Sequence, residues 1–118
     1  MRVIVYLSVF LLTTVSAYSD AAFRCTGKIT EIHLRHSGGV SIRSEGMWGG
    51  SSVGRDICNV SSEWNGVALE TCKIWLSTAL AAKARDIELS IQYTNDDYNC
   101  ETMPTWTNAI KPHAIISK

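Results

Sequence analysis

The spacing of hydrophobic and polar positions changes several times along this chain, and each change marks an element. Behind Arg2, residues 3–15 form a mainly apolar run that ends in the small residues Val15, Ser16 and Ala17. One positive charge, about a dozen apolar positions and a small-residue exit predict a secretory signal peptide, too short for a comfortable membrane span. The expected cut follows residue 17, and a second small exit at Ser19-Asp20-Ala21 allows a cut as late as 21. No later apolar run is long enough to span a membrane, so one domain over residues 18–118 is expected.

Within that domain, residues 28–34 read as a strand with Thr30, Ile32 and Leu34 on one face. Ile29 falls on the other, which predicts a bulge or burial on both sides. The turn Ser37-Gly38-Gly39 leads into residues 40–45, where Val40 and Ile42 alternate with Ser41, Arg43 and Glu45. Residues 46–52 form a glycine-rich loop with Trp48 at its centre, and a short strand is expected over 53–60. Residues 67–84 carry the one helical pattern: Leu69, Cys72, Leu76, Ala79, Leu80 and Lys83 share a face, and alanines at 79, 81, 82 and 84 favour helix intrinsically. Ile87, Leu89, Ile91 and Tyr93 then alternate with polar residues as a half-buried strand. After a polar loop over 94–105, residues 106–116 are expected to form a last strand, with Pro112 marking an edge or bulge.

The order β-β-β-α-β-β, with the helix between strands three and four, predicts a mainly β fold: an OB-fold-like five-stranded antiparallel barrel. That layout sets the start of strand one beside the end of strand four, and the end of strand three beside the start of the helix. The chain has four cysteines, none in a C-x-x-C, and an even count in a small exported domain reads as two disulfides. Three pairings are open to four cysteines; the layout selects Cys25–Cys100 and Cys58–Cys72. Eleven basic residues against eleven acidic ones leave no basic excess, which argues against a nucleic-acid partner.

Several stretches are similar to one family. They are Thr26-Gly27-Lys28-Ile29-Thr30-Glu31-Ile32-His33 as a first strand, Ser44-Glu45-Gly46 near a second-strand end, and Cys58 followed by Trp64. Leu76-Ser77-Thr78-Ala79-Leu80-Ala81-Ala82 as a helix and Leu89-Ser90-Ile91-Gln92-Tyr93 as the strand after it complete the match. Together they resemble the B subunits of subtilase-cytotoxin-like and typhoid-toxin-like AB5 toxins, of the pertussis-toxin-like group, over roughly residues 26–94. The resemblance implies an OB-fold, a ring of five copies, a catalytic A subunit as partner and binding of sialylated host-cell glycans. It implies sugar contacts at Thr26, beside Gly27, and at Tyr93. Two positions depart from the family: Ala22 stands near its acidic residue, and its strand-two cysteine is replaced around Arg43.

Other candidate chemistry is sparse. Trp48, in its glycine-rich loop, is the tryptophan expected to be exposed and able to stack on a ligand, whereas Trp64, Trp75 and Trp106 are expected to pack in the core or at its rim. His33 and His36 lie three apart on a strand end, so they point to opposite faces and no metal site is expected. The oxygen-rich stretch Asn95-Asp96-Asp97-Tyr98-Asn99 lacks calcium-loop spacing and reads as a turn tied down by Cys100. No G-x-S-x-G elbow and no free thiol are expected, and Glu31 with Glu45 reads as hairpin surface charge. The expectation is therefore a secreted or periplasmic glycan-binding subunit without cofactor, not an enzyme. The alternative is a small accessory, inhibitor or protein-interaction domain without sugar specificity.

Overall fold

The computed structural model describes residues 22–95 and 97–117; the expected signal peptide lies outside the described residues. Five strands form one antiparallel sheet: β1 (Phe23–Leu34), β2 (Gly39–Ser44), β3 (Arg55–Asn59), β4 (Glu88–Tyr93) and β5 (Ala114–Ser117). The single helix α1 (Leu69–Ala84) stands between β3 and β4 in the chain, as expected. The sheet order is β3-β2-β1-β4-β5. It is not closed into the expected barrel, because β3 and β5 are its two edges. β3 instead meets the irregular chain ahead of β5 at Trp106, whose N–H donates to Gly54 O at 2.8 Å and whose carbonyl accepts from Asp56 N–H at 3.2 Å.

β1 is longer than its sequence pattern suggests and serves two partners. Its first half pairs with β4 from Phe23↔Tyr93 to Lys28↔Glu88, and its second half pairs with β2 from Ile29↔Ser44 to Leu34↔Val40. The register shifts between Ile29 and Glu31, the bulge that the misplaced Ile29 foretold. The extra residue lets Ile29 and Ile32 both face the core although they are an odd number apart. Leu34, past the end of the core, is exposed.

Gly27 allows the next turn of the fold. A Cβ there would sit 2.8 Å from Met47 N and 2.7 Å from Ser44 Oγ, so only glycine lets the loop after β2 cross β1 this closely. That loop then drops Met47 and Trp48 into the core beside Val40, Ile42, Ile57, Leu89 and Ile91. Each such side chain, once fully buried, contributes about 1.5–3 kcal/mol of transfer free energy.

The helix buries Cys72, Ala79 and Ala82, with Trp75 and Leu76 packed partly against the core. Leu80 and Lys83, expected on this face, point outward instead. The face runs through residues 72, 75, 76, 79 and 82, a spacing that puts two alanines where the helix comes closest to the sheet. The last strand is shorter than expected, because Trp106 adopts a left-handed φ of 50° and the chain stays irregular until Ala114. Both expected disulfides, Cys25–Cys100 and Cys58–Cys72, are formed. No helix among the described residues is long and apolar enough to cross a membrane.

Candidate functional site

An open cleft lies where the first turns of α1 meet the chain leaving β4 and the chain entering β5. It encloses about 210 Å³ and is lined by Val67, Thr71, Trp75, Thr94, Lys111 and His113 among others. Its near wall is a two-residue turn: Asn65 and Gly66 have φ of 49° and 83°, and Trp64 and Val67 exchange backbone hydrogen bonds of 3.1 and 2.8 Å across it. Asn-Gly is the pair that takes two consecutive positive φ values at least cost. Thr71 and Trp75 are four apart, so they project from the same side of the helix. The far wall is pinned where His113 N–H donates to Gln92 O at 2.7 Å.

The cleft therefore presents an indole, two hydroxyls, an ammonium and an imidazole, with no carboxylate among its lining residues. An aromatic surface suits the C–H faces of a ring, hydroxyls suit its polar edges, and Lys111 favours a ligand with negative charge. Trp75, expected only to pack, both packs and lines this cleft.

The residues singled out from the sequence are not gathered at one surface. Trp48 is 1 % exposed, which corrects its expected exposure: the close crossing at Gly27 carries the loop inward rather than out to solvent. Tyr93 is 0 % exposed, stacked on Phe23 at 5.3 Å between ring centroids and tilted against Trp48 at 6.4 Å. Thr26 lies on the opposite face of the sheet, where its hydroxyl is 2.7 Å from that of Ser90.

Comparison with protein-family models, with curated proteins and with solved structures gives no match.

Two further clusters occupy the outer face of β1, β2 and β3. His33 Nε2 is 2.5 Å from Glu31 Oε1 without the angle of a hydrogen bond, and Arg43 reaches Glu31 at 3.6 Å. Arg43 lies over the Trp106 ring at 5.2 Å, and the His33 ring is tilted against it at 5.7 Å between centroids. Beside it, Arg35 forms a two-pronged pair with Asp56, whose carboxylate also accepts from Ser41 Oγ. Among the described residues no group of three His, Cys, Asp or Glu side chains is placed to hold a metal ion.

Burial has a titration consequence at Tyr93. It pushes the Tyr93 hydroxyl well above its ordinary value, and the positive charge of Arg55 opposes this only in part. The folded protein then keeps a proton that the unfolded chain releases above about pH 10. Fewer protons on the unfolded state means that stability falls as pH rises, by up to about 1.4 kcal/mol per unit above that point. Urea midpoints measured from pH 9 to 11.5 are expected to show this slope, and Tyr93→Phe is expected to flatten it.

Proposed function

We propose that this chain is an exported carbohydrate-binding domain whose cleft between α1, β4 and β5 takes an acidic, sialylated glycan. The observation that carries the proposal is the donor set around Trp75: an indole wall, the Thr71 and Thr94 hydroxyls, and Lys111 with His113 at the mouth. The two disulfides support passage through an oxidising compartment. The likeness of the sequence to toxin B subunits points to the same ligand class, but by other contacts: Thr94, directly after Tyr93, takes the place that the buried tyrosine leaves. In the same reading the sheet is an OB-like one, supported by the helix between β3 and β4 and by the bridge from β3 to Trp106, in the chain that leads into β5.

A glycan array probed with the disulfide-intact protein tests this. Binding to carboxylate-bearing glycans is expected over their neutral counterparts, weakened at least tenfold by Trp75→Ala and by Lys111→Ala. A folded protein that binds none of the array at high concentration would overturn the glycan reading.

A second reading, a protein-interaction domain assembled with further copies of itself, is favoured by the outer face of α1. There Ile74 is 67 % exposed and Leu80 47 % exposed, among the polar residues Glu70, Lys73 and Ser77. Sedimentation equilibrium tests it: a single-chain mass at micromolar concentration removes the self-assembly.

A further inference from the structure

Arg55 is buried in a way that the other arginine–acid contacts of the fold are not. Its residue is 2 % exposed. One terminal nitrogen donates to Ser51 Oγ at 3.1 Å and to Val53 O at 2.6 Å, and the other donates to Met103 O at 3.2 Å. All three acceptors are neutral. No carboxylate pairs with it among the described residues, whereas Arg35 has Asp56 and Arg43 has Glu31. Its Nε–H is buried and has no acceptor.

Two neighbours share that condition. The Arg55 guanidinium lies over the Trp48 ring at 5.2 Å, and Trp48 lies against Tyr93 at 6.4 Å. Trp48 Nε1 and the Tyr93 hydroxyl are both buried with no hydrogen-bond partner. The cluster therefore holds three unmatched donors and one full positive charge, with the Tyr93 oxygen as its one free acceptor and no negative group among its partners. Buried polar groups are nearly always paired, and a buried charge requires a counter-charge. A water molecule with the Tyr93 oxygen offers enough lone pairs for the donors, but it leaves the charge uncompensated. A monovalent anion supplies both at once.

We propose that Arg55, Trp48 and Tyr93 hold a small monovalent anion, chloride above all, inside the fold between the loop that follows β2 and the end of β4. This site is separate from the cleft around Trp75 and does not depend on the glycan reading. The anion fastens the glycine-rich loop to the sheet: Trp48 comes from the loop, Arg55 from the start of β3 and Tyr93 from the last position of β4. A size limit follows, because burial leaves no route for a large oxyanion to keep its hydration.

Thermal melts of the disulfide-intact protein test the proposal, with sodium chloride replaced stepwise by sodium gluconate at fixed ionic strength. The melting temperature is expected to rise with chloride and to saturate, with excess broadening of the chloride-35 resonance that bromide displaces. Trp48→Phe and Tyr93→Phe keep the rings and remove one donor each; half-saturation is expected to move at least tenfold higher in both. Identical melts in the two salts, or a chloride response unchanged in both variants, would overturn the proposal. If neither variant folds, crystals of the unaltered protein soaked in bromide decide it: an anomalous peak beside the Arg55 guanidinium supports the site, and no peak there overturns it.

Discussion

Replacing Cys25 and Cys100 together by alanine is expected to remove about 4.5 kcal/mol of stability. The bridge closes a span of 75 residues, and the conformational freedom that a cross-link takes from the unfolded chain grows with the logarithm of the span. The Cys58–Cys72 bridge closes 14 residues and is expected to contribute about 3 kcal/mol on the same basis. A domain of this size has about 5–15 kcal/mol in total, so reduction of both bridges is expected to leave the chain unfolded at 37 °C. The longer bridge also ties the start of β1 to the loop after β4, holding one wall of the sheet to the chain that lines the cleft. Urea denaturation of the two double variants checks the ranking. A smaller loss for Cys25/Cys100 than for Cys58/Cys72 would contradict the chain-entropy account.

Arg35→Met is expected to cost about 3–5 kcal/mol, although it removes a single surface-reaching side chain. Its partner Asp56 is 1 % exposed, and without Arg35 that carboxylate keeps only the Ser41 hydroxyl as a side-chain donor. The Arg35 side chain is itself about a third exposed, so water replaces part of what is lost and the value falls toward the lower end of the range. The double change Arg35→Met with Asp56→Leu is expected to recover most of the stability, since the cost lies in the stranded charge rather than in the missing attraction. A double-mutant cycle by urea denaturation measures this directly, and additive losses would contradict it.

How much of this was legible in the sequence depended on whether the signal was local. The β1 bulge was, because Ile29 breaks the alternation of its own strand. Both disulfides were, because the order of elements alone brings those pairs together. The first half of β1 was hidden because its inward positions are Phe23, Cys25 and Gly27, and the small cysteine and glycine give too weak an alternation to mark a strand. Trp48 reads as exposed from its glycine neighbours, and only the long-range approach to Gly27 turns it inward. The helix face was read one step off because leucine outweighs alanine in any hydrophobic count, whereas the sheet selects the small side chains of Ala79 and Ala82 for close packing. The cleft was the least legible part. Thr71 and Trp75 stand at helical spacing, but Lys111 and His113 reach them only through an irregular segment that follows Trp106, and no periodicity marks such a segment.

The most direct test of the central claim is to map binding on the protein itself. Amide and indole resonances of the isotope-labelled, disulfide-intact protein are followed as a soluble sialylated trisaccharide is added. The account predicts saturable shifts at the Trp75 indole and at the amides of Thr71, Thr94 and His113, with Thr26 and Ser90 unmoved. No saturable shift in a folded sample, or shifts centred on Thr26 and the outer face of β1 and β4, would contradict it.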